Sequence, residues 1–261
     1  CVGGAAAPES YLSPQEMVAA ALATGCDALH PGYGFLAESP ALAQLCIDNG
    51  VTFVGPKPDQ IQQMGNKIEA RALARLYEIP TLPGSEKVAT VDDAVAIGSK
   101  VGLPIMMKAA AGGGGRGMKI VDKLEDLPAN FQRASSEAAA AFGDGTIYLE
   151  RYIPNARHVE VQILADRHGN VVHLGERDCS LQRRHQKMVE EAPAPNLSDA
   201  LRSAIHGAAV RLAKGFGYEN AGTVEFIVDQ DAGEFFFLEM NTRIQVEHPV
   251  TELISGIDLI Q

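Results

Sequence analysis

Residues 235–249, FFFLEMNTRIQVEHP, run from three phenylalanines into a row in which charged or amide side chains recur at every second position. In an extended chain, side chains two apart share a face, so Glu239, Asn241, Arg243, Gln245 and Glu247 are expected on one side. Just upstream, GTVEFIV at 222–228 and DQDAG at 229–233 read as a strand and a five-residue turn, which makes 222–241 a hairpin. Pairing Val228 with Glu234 then puts Glu225 and Glu239 on the same face of neighbouring strands. Two unpaired carboxylates on an apolar sheet repel and hold raised pKa values. A divalent cation removes that conflict, and Mg²⁺ is commonly held by one or two carboxylates together with substrate phosphates. A solvated edge strand fits the same alternation. The apolar run of 235–238 argues for the metal, and a one-residue slip in register would separate the two carboxylates.

The rest of the chain can build a core around that hairpin. It has 261 residues, 46% of them hydrophobic and 21% charged, which suits one large or two to three small packed domains. No apolar run approaches a membrane span, so no membrane partner is expected. The net charge of −11 argues against nucleic acid, whose phosphates need a basic face. Cys1, Cys26, Cys46 and Cys179 show no metal-binding or disulfide spacing, and free thiols in a reducing compartment are expected.

Helix-start signals organise the first third. Ser13-Pro14 with Glu16 and Ser39-Pro40 open two helices, each followed by a short apolar strand at 28–30 and 51–54. Helices alternating with strands imply a parallel layer. One helix is expected from Pro58 through Lys67 to Leu76, with a boundary near Pro83. From there, helices at 91–102 and 125–142 alternate with strands at 104–109, 118–121 and 146–152. A hairpin through HVEVQIL at 158–164 and 171–175 follows, then a helix capped by Ser198.

Residues 108–118, KAAAGGGGRGM, formally contain the GxGxxG spacing of a dinucleotide fingerprint. The fingerprint must open a helix, whereas 118–121 reads as strand, and no Lys-Ser or Lys-Thr follows to make a phosphate loop of the other kind. A glycine flap between two strands remains, with Lys108 at its base and backbone N–H groups able to cover phosphates. An ordinary flexible loop fits the same residues. Residues 176–187, ERDCSLQRRHQK, gather four cations and a histidine in an acidic chain, which reads equally as an anion site or a salt-bridged surface.

Taken together, these stretches resemble the biotin carboxylase component of the biotin-dependent carboxylases, within the ATP-grasp superfamily. The resemblance is carried by HPGYGFLAE from His30, MGNK from Met64, KAAAGGGGRGM from Lys108, RHVEVQILAD from Arg157, ERDCSLQRRHQKMVEEAPAP from Glu176 and FLEMNTRIQVEHPVTE from Phe237. It implies an ATP-grasp fold that mixes α/β and α+β parts. Residues 1–82 would form part of an N-terminal α/β domain and linker helix, 83–152 a small flap domain, and 153–261 a truncated larger domain with an antiparallel sheet.

Carried over residue by residue, the resemblance makes Lys67 and Lys108 phosphate-binding lysines and Gly114 and Gly115 the flap. Glu150, Arg151, Tyr152 and Ile153 would meet the adenine, and His158, Gln182 and His185 would line the nucleotide pocket. Glu225, Glu239 and Asn241 would hold two Mg²⁺ or Mn²⁺ ions. Lys187, Arg243, Gln245 and Val246 would bind bicarbonate, with Glu247 as the base. Ala111 stands where family members often carry glycine, and the 229–233 turn is slightly longer than usual.

The implied reaction is ATP- and bicarbonate-dependent carboxylation of biotin through carboxyphosphate. Biotin would arrive on a biotin carboxyl carrier protein, and a carboxyltransferase would use the product, as in fatty acid biosynthesis. A homodimer in the cytoplasm, or in a mitochondrial matrix, is implied. Two alternatives share the lysines, flap and metal residues: another ATP-grasp ligase such as a carbamoyl phosphate synthetase half, and a non-catalytic nucleotide-binding module. Because the family has a strand and helix before the position of Cys1 and a lobe after Gln261, residues 1–261 alone are expected to be inactive.

Overall fold

The computed structural model describes residues 2–85, 87–109, 118–184 and 186–261. The glycine segment at 110–117, with Gly114 and Gly115, and also His185 lie outside the described residues. Contacts divide the chain into two compact units. One comprises Cys1–Pro80, Arg157–Ser180 and Val189–Gln261, the other Thr81–Ala156 and Leu181–Met188.

The first unit begins with α1 (Pro14–Ala23), β1 (Ala28–Leu29), α2 (Pro40–Asp48) and β2 (Thr52–Phe53). Both helices start as the sequence signals. Ser13 Oγ accepts the Glu16 N–H and Ser39 Oγ the Leu42 N–H, satisfying donors that the first helical turn leaves without partners. The strands pair in parallel, Ala28 with Thr52 and Leu29 with Phe53, over a small core of Val18, Leu29, Leu42, Cys46 and Val51.

The single helix expected over 58–76 is two, α3 (Pro58–Gly65) and α4 (Lys67–Leu76). Asn66 interrupts it with an extended backbone, φ −92° and ψ 109°, and its side chain accepts the N–H groups of Ile68 and Glu69. An asparagine oxygen competes with the helix ladder for nearby amides. Here that competition ends one helix and starts the next, placing Lys67 at the first position of α4.

The second unit contains α5 (Val91–Val101), β3 (Ile105–Ala109), β4 (Met118–Val121), α6 (Leu127–Phe142) and β5 (Ile147–Arg151). Its sheet has the order β4-β3-β5, all antiparallel, with α5 and α6 packed over Ile105, Met107, Ile147 and Leu149. The outer edge of β5 is covered by 83–85 and Val88: Ser85 and Val88 donate to Leu149 and Ile147, and Arg151 donates to Pro83. At Gly84 a Cβ would lie 2.2 Å from the Leu149 carbonyl oxygen, so only glycine lets this strap approach.

The chain continues through β6 (Ala156–Ala165), β7 (Val171–Arg183), β8 (Gln186–Glu191), α7 (Asp199–Gly215), β9 (Asn220–Asp229), β10 (Glu234–Asn241) and α8 (His248–Ser255), all grouping with the first unit except Ala156 and the Leu181–Met188 part of β7 and β8. The sheet order is β10-β9-β6-β7-β8. On one face Leu201, Ile205, Ala208, Leu212 and Ala213 of α7, with Ala70 and Ala74 of α4, cover Val161, Ile163, Val224, Phe226 and Val228. Burying each large apolar side chain there contributes about 1.5–3 kcal/mol.

Three local expectations are corrected. The return strand expected over 171–175 continues through Arg183, so the segment from Glu176 to Arg183 belongs to the hairpin itself. The β9–β10 register pairs Phe235 with Val228, one residue away from the expected pairing, and slips once more at Leu238. That bulge lets both Phe237, opposite Phe226, and Met240, opposite Val224, face the core. Glu239, opposite Glu225, and Asn241, opposite Thr223, take the other face. Finally, the alternating row does not stay extended: β10 ends at Asn241, 242–247 is a loop, and Glu247 is the N-cap residue of α8.

Candidate functional site

The bulge makes Glu225 and Glu239 direct cross-strand partners on a largely buried face. Glu225 is 3% exposed; its Oε1 accepts from Asn241 Nδ2 at 2.7 Å and from Gln245 Nε2 at 2.9 Å, while its Oε2 lies 2.8 Å from His158 Nε2. The Glu239 side chain makes no hydrogen bond among the described residues. Its carboxyl is held above the usual range by burial and by the Glu225 charge, with Lys67 and His158 partly offsetting them. Two opposed carboxylates and the Asn241 carbonyl are hard oxygen donors in the number that Mg²⁺ or Mn²⁺ takes from a protein while keeping room for phosphates. A cation relieves the repulsion that raises Glu239, so the residues present fit the implied metal.

Arg243 stands at the end of this hairpin. Its Nε is 3.2 Å from Glu38 Oε2, and its Nη2 donates to Asn241 Oδ1 at 3.1 Å. Glu38 also accepts the Thr242 N–H through Oε1 at 3.2 Å, so one carboxylate from the HPGYGFLAE loop fixes both the guanidinium and the corner where β10 turns. Gln245 and Glu247 are buried on the following loop, whereas Val246 is 60% exposed.

The deepest charge on this face was not singled out from sequence. Arg177 is fully buried, and all five of its N–H donors are used. Nε donates to Glu160 at 2.6 Å, Nη1 to Gln162 at 2.9 Å and Thr251 at 2.8 Å, Nη2 to Gln245 at 2.8 Å and Thr223 at 3.4 Å. A signal existed in HVEVQ: His158, Glu160 and Gln162 alternate with Val159 and Val161, both fully buried. A polar row behind such valines needs a buried cation opposite, and Arg177 pairs with Glu160 across β6 and β7. Glu38 carried no comparable signal, since its partner is more than two hundred residues away.

In the second unit, Lys108 on β3 lies opposite Tyr148 on β5. Its ammonium pairs with Glu150 Oε2 at 2.5 Å and stands 5.9 Å from the centre of the Tyr148 ring. Arg151 ends β5, Tyr152 donates its N–H to Pro104, and Ile153 is buried. Gln182 and Lys187 fall near the end of the β7–β8 hairpin, in the part that groups with this unit. In the first unit, then, the chain brings together His158, Glu225, Glu239, Asn241, Arg243 and Gln245, with Lys67 acting on Glu239 through its charge; in the second it brings together Lys108 and Glu150.

Two family models match the chain one after the other. The family described as "Carbamoyl-phosphate synthase L chain, ATP binding domain" matches residues 66–261, and "Biotin carboxylase, N-terminal domain" matches 1–61. Biotin carboxylase 2, chloroplastic, of Populus trichocarpa is 52% identical across 100% of this chain and 50% of its own length. Biotin carboxylase 1 of Bacillus subtilis is 49% identical across 100% of this chain and 58% of its own. Among solved structures, the biotin carboxylase-beta-gamma-ATP complex from Campylobacter jejuni superposes with a TM-score of 0.90 at 47% identity, covering 100% of this chain and 58% of that one. The chain thus spans about half the length of the curated relatives it matches. With full coverage of its own residues at this identity, and with the ATP-grasp architecture in common, the chain belongs to the biotin carboxylase family.

Proposed function

We propose that the protein carrying this chain carboxylates biotin at the expense of ATP and bicarbonate. The observation that supports this reading best is the cross-strand pair Glu225–Glu239 with Asn241 beside it and Arg243 immediately beyond, a metal donor set joined to an anion clamp. Bicarbonate is a weak electrophile. Attack of its oxygen on the γ-phosphate of ATP breaks the bond to ADP, which leaves, and makes carboxyphosphate, an activated form that splits into phosphate and CO₂; the ureido nitrogen of biotin gives up its proton and takes the CO₂.

In this reading Lys67 and Lys108 hold phosphate oxygens, and Glu225, Glu239 and Asn241 hold Mg²⁺ or Mn²⁺, two ions in all. Bound metal supplies positive charge where the transferring phosphoryl group gathers negative charge. Lys108 exchanges its present partner Glu150 for phosphate, and the glycine segment with Gly114 and Gly115 covers the phosphates. Glu150, Arg151, Tyr152 and Ile153 take the adenine, and His158, Gln182 and His185 line the nucleotide pocket. Arg243, held by Glu38 and Asn241, orients bicarbonate together with Lys187, Gln245 and the exposed Val246. Glu247 takes the proton from bicarbonate as general base.

A related structure supports the ligands: the biotin carboxylase domain dimer of the Hydrogenobacter thermophilus 2-oxoglutarate carboxylase is in complex with MgADP, ADP and bicarbonate. We assign a homodimeric state on the same grounds, and a carrier-bound biotin and a carboxyltransferase from the membership in the biotin carboxylase family. Among the described residues no helix is long and apolar enough to cross a membrane. Relatives are named from chloroplasts and mitochondria, and we place this protein in the cytoplasm or a mitochondrial matrix.

The test is ATP hydrolysis by the intact protein with bicarbonate, free biotin or ammonia added singly and together. Hydrolysis that requires bicarbonate and rises with biotin is expected. Hydrolysis driven by ammonia, or indifferent to bicarbonate, would overturn the assignment.

A further inference from the structure

A fully buried guanidinium is costly unless every donor is met and its charge is balanced. At Arg177 both conditions hold, and the partners come from separate parts of the fold: β6 supplies Glu160 and Gln162, β9 Thr223, the 242–247 loop Gln245, and α8 Thr251. One contact reaches the metal face. Gln245 accepts from Arg177 Nη2 at 2.8 Å through Oε1 and donates from Nε2 to Glu225 Oε1 at 2.9 Å.

An amide has one acceptor end and one donor end. Because Arg177 has only donors, it forces the oxygen of Gln245 toward itself and the NH₂ toward Glu225. Without Arg177 the amide can reverse, which would turn a carbonyl oxygen onto the carboxylate. Glu225 is also met by Asn241 Nδ2, whose own oxygen faces Arg243. Both amides are therefore polarised in the same sense by an arginine behind them. His158 stands on the other oxygen of Glu225, and Glu160, the counter-charge of Arg177, is 3.9 Å from the same imidazole nitrogen.

We infer that Arg177 is a positioning residue for the metal carboxylate, acting through the Gln245 amide to fix the orientation of Glu225. The inference rests on the metal reading given above and deepens it. The guanidinium does not touch metal or substrate. It sets which lone pairs of Glu225 remain for a cation, and through Gln245 and Thr251 it ties the loop carrying Arg243 and Glu247 to the sheet.

The experiment measures Mn²⁺ binding in the presence of a non-hydrolysable ATP analogue, by the electron paramagnetic resonance of free Mn²⁺. The intact wild-type protein is compared with Arg177→Lys, Gln245→Ala and the double variant. Lysine keeps the charge beside Glu160 but cannot also reach Gln245 and Thr251 in a fixed fork. Loss of an outer partner of a metal ligand commonly weakens affinity by roughly 10- to 100-fold. Arg177→Lys and Gln245→Ala are each expected to weaken Mn²⁺ at least tenfold, and the double variant to be no worse than the weaker single variant, because both cut one chain of contacts.

Should Arg177→Lys not fold, Gln245→Glu carries the test, since it keeps an acceptor for Arg177 and removes the donor to Glu225; the same loss of Mn²⁺ affinity is expected. Wild-type affinity in folded Arg177→Lys or in Gln245→Glu, or losses that multiply in the double variant, would overturn the positioning role and leave the metal reading intact. Absence of Mn²⁺ binding in the wild type would overturn both.

Discussion

Glu239 is buried beside Glu225, which is unfavourable for the fold, and in the proposed function it is a ligand for the cation. Its folded pKa is raised, so the protonated form is favoured in the native state. The associated stability is present below the unfolded value and is lost as pH rises through the folded one. At neutral pH the ionised side chain works against folding, and a bound cation reverses that. Glu239→Gln is therefore expected to raise the stability of the metal-free protein, on the order of 1 kcal/mol, and to abolish the further stabilisation given by Mg²⁺ with nucleotide. Thermal unfolding with and without MgATP reads both effects. A variant less stable than wild type that still gains from MgATP would contradict this account. The same substitution is expected to remove most Mg²⁺-dependent ATP turnover, by about 10²- to 10³-fold. Glu176 is the opposite case. Burial works to raise its pKa, but hydrogen bonds from His206 and Arg202 and the Ala194 N–H outweigh it and bring the carboxyl to about 2. Its stability contribution is present above the ordinary glutamate value of 4.5 and disappears as pH falls toward about 2. Glu176→Gln is expected to cost about 2 kcal/mol at pH 7, with the difference from wild type vanishing near pH 2; a difference independent of pH would refute the assignment.

At the scale of elements, Asn66 decides where Lys67 sits. Asn66→Ala removes the acceptor for the Ile68 and Glu69 amides and is expected to destabilise the protein by about 1 kcal/mol. It should also weaken nucleotide binding, because α4 loses the turn that presents Lys67. Isothermal titration with an ATP analogue checks this, and unchanged affinity beside a lowered melting temperature would confine Asn66 to stability. Much of this level was legible in the sequence because caps are local. Ser13, Ser39, Thr90 and Ser198 each precede a helix and each accepts the expected N–H. What was not legible depends on residues far apart. The Leu238 bulge follows from Phe237 and Met240 both seeking the core, a demand that appears only when α4 and α7 cover the sheet. The polar row of 239–247 reads as one strand, yet it splits into a strand end, a loop and a helix N-terminus because Glu38 and Arg177 hold the corner from other elements. The carboxylate pair was legible from composition and spacing; the register that makes it direct was not.

For the whole molecule, the proposed function asks an acidic chain of net charge −11 to draw two anions, ATP and bicarbonate, through local charge. In the first unit Lys67 acts on Glu239 through its charge and Arg243 lies beside Glu38, and in the second Lys108 pairs with Glu150. In the proposed reaction these groups make bicarbonate the nucleophile toward ATP. The most direct measurement supplies the intact protein with ¹⁸O-labelled bicarbonate, MgATP and biotin, and analyses the released phosphate by mass spectrometry. If carboxyphosphate forms, the C–O–P oxygen stays with phosphorus when CO₂ departs, so each phosphate should carry one oxygen from bicarbonate. Phosphate whose new oxygen comes only from water would contradict the account.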